Sequence, residues 1–327
     1  MKLKIGIIGT GWFSGKHADI ISAMEEAEVT AICGSSKEKA EKMAVDYNGA
    51  AGYGDISDMI SAEKLDAAYI CVPPMSHGRI EEELIQAGIP FLVEKPLAND
   101  FALPKNIAAK VKAASLITSV GYHFRYSPAT EKLKEILSEQ KIGLITGAWM
   151  GDMPETAWWR KEEKSGGQLM EQTTHIVDLL RYIAGEAEEV YAVTGHKVNH
   201  LSYEGVTAAD VGTVSIKMTN GAVVSLSNTC ILPQGVGEIG FTVYSDRGIT
   251  SWSPEELVVQ DKQGKQSIEI MEENPYKKES EAFLHALKTG DTSRILSNYE
   301  DALQTQKITY AAAVSAKEGR PVKLADI

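Results

Sequence analysis

Residues 3–15 read Leu-Lys-Ile-Gly-Ile-Ile-Gly-Thr-Gly-Trp-Phe-Ser-Gly. The short apolar run Leu3–Ile8 is typical of a buried parallel strand, and a helical pattern follows the glycines. Gly9 permits a sharp turn, and Gly11 lets backbone amides approach a pyrophosphate at the start of that helix. A strand, a G-x-G-x-x-[small] loop and a helix in this order predict a dinucleotide site, with a ligand-free glycine-rich turn as the alternative. The expected cofactor contacts in this loop are Gly9, Thr10, Gly11, Trp12, Phe13 and Ser14, whose hydroxyl can add a phosphate hydrogen bond.

The first 120 residues alternate between short apolar runs and helical patterns, as in βαβ units with a parallel sheet. The predicted strands are Leu3–Ile8, Val29–Cys33, Ala67–Val72, Pro90–Val93 and Leu116–Val120. The predicted helices are Lys16–Glu25, Lys37–Tyr47, Gly78–Ala87 and Asn99–Ala114. The sequence therefore predicts an α/β Rossmann-type domain over residues 1–122.

The remainder, residues 123–327, has a different pattern and is predicted to form an α+β domain for substrate binding and oligomerisation. Tight-turn signals such as Asn220-Gly221 separate successive strands, which indicates a mostly antiparallel sheet. The predicted strands are Leu144–Met150, Val190–Gly195, Val211–Met218, Ala222–Thr229, Ile239–Ser245 and Ser267–Ile270. The predicted helices are Pro128–Leu137, Gly167–Ile183, Glu279–Lys288 and Tyr299–Lys317.

Composition restricts the classes of partner. A formal net charge of −12 argues against nucleic acid or an anionic membrane as the main partner. The three cysteines are isolated, which favours neither a disulfide framework nor a zinc cluster, and no metal site is expected. No signal peptide or transmembrane stretch is visible, so the sequence predicts a cytoplasmic protein.

The end of the second strand bears on the choice of cofactor. An NAD site usually has a carboxylate there for the ribose 2′-hydroxyl, whereas this chain has Gly34-Ser35-Ser36-Lys37. Two hydroxyls and an ammonium suit a 2′-phosphate, so Ser35, Ser36 and Lys37 favour NADP(H), with NAD(H) possible. The alternative is that one of the serines only caps the following helix.

Two further strand ends face the same ligand crevice, because the carboxyl ends of parallel strands lie at one edge of the sheet. Glu94-Lys95-Pro96 follows one strand, which places Lys95 where a nicotinamide should lie. Pro73 and His77 follow the neighbouring strand, and His77 either lines the cofactor site or caps the next helix.

At this point the chain resembles the glucose-fructose oxidoreductase/inositol dehydrogenase/MocA (Gfo/Idh/MocA) family. The resemblance rests on the glycine loop, on Glu94-Lys95-Pro96 and on Ser165–Leu180, which is similar to the family's G-G-G…D-x-G-x-H-x-x-D signature. It implies a second domain with a large open sheet, a catalytic lysine at Lys95 and a catalytic histidine at His175. Glu171 stands in the place of the family's aspartate, and Thr173 replaces its glycine.

The resulting hypothesis is an NAD(P)-dependent oxidoreductase that moves a hydride to or from a hydroxyl- or carbonyl-bearing carbon of a sugar or polyol. His175 would act as general acid/base, Glu171 would orient it from four residues earlier on a helix, and Lys95 would stabilise the substrate oxygen. Two alternatives remain: Glu171 and His175 form an ordinary helical pair, or the protein is a catalytically silent NADP(H)-binding sensor on the same fold.

Aromatic faces with a few polar donors suit a sugar-like substrate. The predicted substrate contacts are Tyr122, Arg125, Trp158, Trp159 and Arg160. For each tryptophan the alternative is a place in the hydrophobic core. The β-rich domain is also expected to leave one sheet face open, and pairing through it predicts a homodimer or homotetramer.

Overall fold

The computed structural model describes residues 2–327, and the chain divides into two compact units. The first unit contains the chain up to Ala98, together with Ala102–His123 and Asn274–Leu303. The second contains Asn99–Phe101, Phe124–Glu273 and Gln304–Ile327. Each unit has its own sheet.

The first unit is built on a six-stranded sheet. Its strands are β1 (Leu3–Ile8), β2 (Ala27–Cys33), β3 (Ala51–Tyr53), β4 (Ala67–Ile70), β5 (Phe91–Val93) and β6 (Thr118–Val120). Its helices are α1 (Trp12–Ser22), α2 (Lys37–Ala44), α3 (Ile56–Ala62), α4 (Arg79–Ala87), α5 (Ala102–Ala114) and α10 (Pro275–Thr289). The strand order is β3-β2-β1-β4-β5-β6 and every pair is parallel, which confirms the predicted Rossmann-type fold.

The core of this unit explains why its strands read as continuous apolar runs. Ile5, Ile7 and Ile32 are fully buried, because helices cover the sheet. Phe283 and Leu284 of α10 belong to the same core cluster. The segment Asn274–Leu303 thus packs in the first unit, whereas the sequence predicts it within the second domain, residues 123–327.

The second unit is built on a nine-stranded sheet. Its strands are β7 (Ile142–Met150), β8 (Ala187–Gly195), β9 (Val211–Met218), β10 (Val223–Thr229), β11 (Glu238–Ser245), β12 (Gly248–Trp252), β13 (Leu257–Asp261), β14 (Gly264–Ile268) and β15 (Val322–Lys323). Its helices are α6 (Pro128–Leu137), α7 (Glu162–Ser165), α8 (Thr174–Ala184), α9 (Asn199–Ser202) and α11 (Tyr299–Glu318), which starts in the first unit and continues in the second.

The strand order is β14-β13-β12-β11-β7-β10-β9-β8-β15. Only β7 and β10 pair in parallel, and the other pairs are antiparallel, so the predicted mostly antiparallel sheet is confirmed. One face of the sheet packs on α6, α8 and α11 in a single core that includes Ile145, Val224 and Ile308. None of the helices in the described chain combines the length and apolar character needed to cross a bilayer.

Candidate active site

The glycine loop has the geometry of a phosphate cradle. Gly9 has φ +117°, and a Cβ there would lie 2.2 Å from the Cys71 carbonyl oxygen, so only glycine fits. Gly11 caps α1 without a side-chain hydrogen bond, and a Cβ on it would meet nothing within 4 Å. The first turn of α1 carries no acidic residue. Free amides at a helix N-terminus, with open space above them, fit the pyrophosphate of a dinucleotide.

Ser14 and Trp12 occupy different environments within this loop. Ser14 is fully buried, and its hydroxyl lies 3.4 Å from the Cys71 carbonyl oxygen. Its small side chain therefore holds α1 close to the sheet, and its contact with phosphate stays a prediction. Trp12 is 72% exposed and meets Phe13 edge to face.

The segment after β2 carries cations and hydroxyls, as the sequence indicates. The Ser36 hydroxyl accepts a hydrogen bond from the Lys39 amide at 3.4 Å and so caps α2, which is the alternative weighed for it. The Lys39 ammonium donates to the Ser35 hydroxyl at 3.2 Å. Lys37 extends toward Glu41 at 3.7 Å, with both side chains largely exposed. Lys39 thus joins this group, although sequence reasoning overlooked it.

A buried histidine–carboxylate pair lies directly before Lys95. His17 Nε2 is 2.8 Å from Glu94 Oε1, and both side chains are buried. A Cβ on Gly121 would lie 2.6 Å from Glu94 Oε2, so the residue after β6 leaves room for the carboxylate because it is glycine. Lys95 follows at the end of β5, and its peptide bond to Pro96 is cis. The pair fixes the backbone from which Lys95 projects.

The neighbourhood of Lys95 within the first unit also contains His123. Burial, and then the charges of Lys16, Lys95 and His17, hold the pKa of His123 well below its usual value, so His123 is neutral at physiological pH. Its ring stacks on Tyr276 of α10, with centroids 3.9 Å apart. The Lys16 ammonium lies 3.4 Å from the centre of the same Tyr276 ring.

His77 forms a second buried pair, with Glu81 of α4. His77 Nδ1 is 2.5 Å from Glu81 Oε1, and Glu81 Oε2 accepts the Gly78 amide at 2.6 Å. Burial opposes ionisation of Glu81, but His77 and the amide outweigh it and lower the pKa of the carboxyl. The side chain that caps α4 is therefore Glu81, and His77 contacts that cap from the residue before Gly78. Pro73 precedes the short turn Pro74–Ser76 that leads to His77, and contacts of Pro73 and His77 with the cofactor stay predictions.

In the second unit the motif around His175 does not follow a regular α-helix. Leu169–Thr173 form a π-helical turn, and α8 begins at Thr174. A shared helix face for Glu171 and His175 requires α-helical spacing, and the wider π-helical turn changes that geometry. Short π-helical insertions are frequent at functional sites. His175 is 6% exposed, and its ring stacks on Trp149 with centroids 5.8 Å apart.

Arg125 has a structural partner that the sequence did not reveal. Its Nε and terminal nitrogen donate to the two Asp178 carboxylate oxygens at 2.7 and 2.6 Å, and both residues are buried. The Thr305 hydroxyl donates to Asp178 at 2.8 Å and accepts from Arg181 at 3.0 Å. Asp178 is the last residue of the histidine motif, so this network anchors α8. A contact between Arg125 and substrate stays a prediction.

The remaining predicted substrate residues are divided between the units. Tyr122 is 1% exposed in the first unit. In the second, Trp159 is 2% exposed and packs with Met153 and Cys230 in a small cluster, which fits the core alternative. Trp158 lies at the edge of that cluster, and the Arg160 guanidinium lies 4.0 Å from the centre of the Tyr203 ring. No group of three or more potential metal ligands is found within residues 2–327.

Comparison with known proteins establishes the family. Residues 3–122 match the model of an oxidoreductase family with an NAD-binding Rossmann fold, named GFO_IDH_MocA. Residues 130–251 match the model of the GFO/IDH/MocA C-terminal domain. The chain belongs to the Gfo/Idh/MocA oxidoreductase family. The predicted family, enzyme class and dinucleotide-binding domain of this Gfo/Idh/MocA protein are therefore confirmed.

Several relatives of this Gfo/Idh/MocA protein have named activities. The myo-inositol 2-dehydrogenase of Thermotoga maritima is 25% identical over 340 residues, covering 99% of each chain. The D-apiose dehydrogenase of Paraburkholderia graminis is 26% identical, covering 67% of this chain and 58% of its own. Levoglucosan dehydrogenase, solved with NADH and levoglucosan, has a TM-score of 0.90 at 21% identity and covers 100% of both chains, which shows a common fold.

Proposed function

We propose that the protein is an NAD(P)-dependent dehydrogenase that acts on a CH–OH group of a sugar or polyol. The observation that carries the proposal is the presence of three family features in one chain: the glycine cradle, Lys95 after β5 and His175 after the π-helical turn. The substrate class is supported by relatives named for inositol, apiose and levoglucosan.

The proposed mechanism assigns roles to Lys95, Glu171 and His175. The glycine loop Gly9–Ser14 would hold the dinucleotide, which would supply the hydride chemistry at the substrate C–H bond in either direction. His175 takes the hydroxyl proton as that hydride leaves, and Glu171 is the residue proposed to orient it. The Lys95 ammonium donates to the same oxygen and stabilises its developing negative charge. The Trp149 ring stacks on His175 with centroids 5.8 Å apart and so supports the plane of the imidazole.

A turnover screen tests this proposal. Purified protein is incubated with sugars and polyols, including myo-inositol, D-apiose and levoglucosan, with NAD⁺ and NADP⁺, and reduction of the nicotinamide is followed by absorbance. Lys95→Ala and His175→Ala should each lower kcat about 100-fold or more, because each removes a group that acts on the reacting oxygen. Cofactor affinity, measured by fluorescence titration, should change little.

Two control variants match the test variants: one removes an ammonium, as Lys95→Ala does, and the other removes an imidazole, as His175→Ala does. Lys64 and His200 are exposed and lie outside the proposed site, so Lys64→Ala and His200→Ala should retain wild-type turnover. Wild-type turnover in the Lys95 and His175 variants would reject the mechanism. Tight cofactor binding without turnover of any compound would instead support the sensor alternative.

We propose in addition that NADP(H) is preferred over NAD(H). The support is the cationic segment after β2, where the Lys39 ammonium donates to the Ser35 hydroxyl and the exposed Lys37 extends toward Glu41. Lys39→Ala should raise KM for NADPH about 10-fold, as expected when a charge-assisted hydrogen bond to phosphate is lost, and leave KM for NADH unchanged. A wild-type kcat/KM that favours NADH would contradict this preference.

A further inference from the structure

A chain of side-chain amides lies at the end of β7 and β10 in the second unit. Asn228 Nδ2 donates to Gln168 Oε1 at 2.8 Å. Gln168 Nε2 donates to the Thr229 carbonyl oxygen at 2.9 Å and to Gln172 Oε1 at 3.1 Å. We call Asn228, Gln168 and Gln172 the amide chain.

The hydrogen bonds determine the orientation of every amide in this chain. The Thr229 carbonyl oxygen can only accept, so Gln168 must direct its NH₂ group toward it. That NH₂ group also faces Gln172, which must therefore present its oxygen to Gln168. A reversed Gln172 would bring two donors together. The amide chain thus holds the Gln172 NH₂ group at its free end, as a pair of donors.

The burial of the three residues shows that this end is accessible. Gln168 and Asn228 are 2% and 7% exposed, whereas Gln172 is only partly buried. The described residues supply no acceptor for the Gln172 NH₂ group, while the rest of the chain of bonds is complete. A side chain held by buried partners, with its donors left open, is suited to bind an external acceptor.

The amide chain is also next to the proposed catalytic histidine. Gln172 lies in the π-helical turn Leu169–Thr173, three residues before His175. Gln168 Nε2 lies 3.5 Å from the carbonyl oxygen of Trp149, whose ring stacks on His175. The acceptor bound by Gln172 is therefore expected on the substrate, the same molecule whose hydroxyl proton His175 is proposed to take.

We infer that Gln172 is a specificity-determining residue whose NH₂ group binds a second oxygen of the substrate, beside the oxygen that reacts. The inference rests on the proposed function, because it takes the substrate of His175 as the ligand. It narrows the substrate class to compounds with an oxygen on a neighbouring carbon, such as a vicinal diol. Gln168 and Asn228 act as positioning residues, since they hold the Gln172 amide in one orientation.

Two substitutions at this position separate binding from anchoring. Gln172→Leu has a similar size and removes both donors. Gln172→Glu keeps an oxygen for Gln168 to donate to, but replaces the outward donors by a carboxylate oxygen. The matched control is Gln140→Ala, which removes a partly buried glutamine whose amide bonds the Ile136 carbonyl, distant in sequence from the motif.

The experiment uses two compounds. The first is the vicinal polyol, for example myo-inositol, that the wild-type protein oxidises fastest in the turnover screen. The second is the monodeoxy analogue of that polyol, which lacks a hydroxyl next to the reacting carbon. Gln172→Leu should raise KM for the polyol about 3- to 10-fold, the loss expected for one neutral hydrogen bond, with kcat within about 3-fold. For the analogue, wild type and Gln172→Leu should have the same KM, because the partner oxygen is already absent. Gln172→Glu should retain more affinity for the polyol than Gln172→Leu, since a hydroxyl can donate to a carboxylate.

Each outcome bears on a different claim. An unchanged KM for the polyol in Gln172→Leu would overturn the inference while the proposed function stands. An equal KM increase for the polyol and its analogue would also overturn it, because the effect would not depend on the second oxygen. Absence of turnover by the wild-type protein would reject the proposed function and, with it, this role of Gln172. Thermal denaturation of all variants shows whether a change in KM accompanies a change in stability.

Discussion

At the scale of single residues, the contact between Gly121 and Glu94 has a measurable consequence. Gly121→Ala would put a methyl group 2.6 Å from a Glu94 carboxylate oxygen, so the carboxylate must move away from His17. Two buried polar groups would then lose their partner, which costs about 2–4 kcal/mol. We expect urea unfolding to show a lower free energy of unfolding and the turnover assay a lower kcat, because Lys95 follows Glu94.

The control for this prediction is Gly143→Ala, since a Cβ at residue 143 would meet its nearest neighbour at an ordinary 3.7 Å. Equal stability of the two alanine variants would show that Glu94 accommodates the methyl group without losing His17.

The sequence revealed some roles of single residues and concealed others, for a physical reason. Gly9 and Gly11 were recognisable because their function depends on the local backbone, which a short motif encodes. The partnership of Arg125 with Asp178 was not, because the two side chains are 53 residues apart and only the tertiary fold brings them together. A single sequence gives no sign of such a pairing. Arg125 could therefore only be read as a charged side chain near a predicted site.

At the scale of elements, Asp210 stabilises the connection between β8 and β9. Its carboxylate accepts the backbone amides of Lys197, Val198 and Asn199, each at 2.8 Å. Burial opposes its ionisation, but these amides outweigh that effect and lower the pKa of Asp210 below its usual 3.8. The ionised form is thus favoured in the folded state. Its contribution to stability is present above pH about 4 and is lost as the pH falls through the lowered pKa.

Asp210→Asn should lower the melting temperature at neutral pH, because a neutral amide is a weaker acceptor for three amides. The difference from wild type should shrink as the pH is lowered below about 3 and the wild-type carboxylate becomes protonated. Thermal denaturation between pH 2 and pH 7, values chosen about the usual aspartate pKa, measures both effects. A difference that does not vary with pH would rule out an electrostatic origin.

Helices and strands whose apolar residues recur at a regular spacing were predictable from the sequence, and elements without such a spacing were not. The helix α11 was expected at Tyr299–Lys317 and is observed at Tyr299–Glu318. The strand β3 has only three residues, too few to show a pattern, and was missed together with α3. The π-helical turn Leu169–Thr173 lies inside the predicted helix Gly167–Ile183. It differs from an α-helical turn only in its backbone hydrogen bonds, which no side-chain pattern marks.

At the scale of the whole molecule, the uncovered face of the nine-stranded sheet supports the proposed oligomer. Val223, Leu144 and Tyr244 are direct cross-strand neighbours on β10, β7 and β11, and each is exposed by 38–49%. Tyr191 and Val193 of β8 add further exposed apolar surface, at 40% and 51%. A row of apolar side chains on one sheet face is suited to pair with its own copy.

Leu144→Lys should weaken that pairing, since burying an ammonium between two sheets is unfavourable. We expect light scattering to give a smaller mass for Leu144→Lys than for the wild type. Leu201→Lys is the control, because Leu201 is 78% exposed and lies on α9, outside the sheet. A wild-type protein that is monomeric at micromolar concentration would contradict the proposed oligomer.

The return of Asn274–Leu303 to the first unit has a consequence for how the protein is made. A fragment that stops at His123 would lack Phe283 and Leu284, which are fully buried in the core of that unit, and the Phe283 ring that meets Tyr69 edge to face. During translation, the core of the nucleotide-binding unit could therefore be completed only after residues 274–303 have left the ribosome. Grafting residues 274–303 onto the truncated fragment should restore an autonomous dinucleotide-binding module.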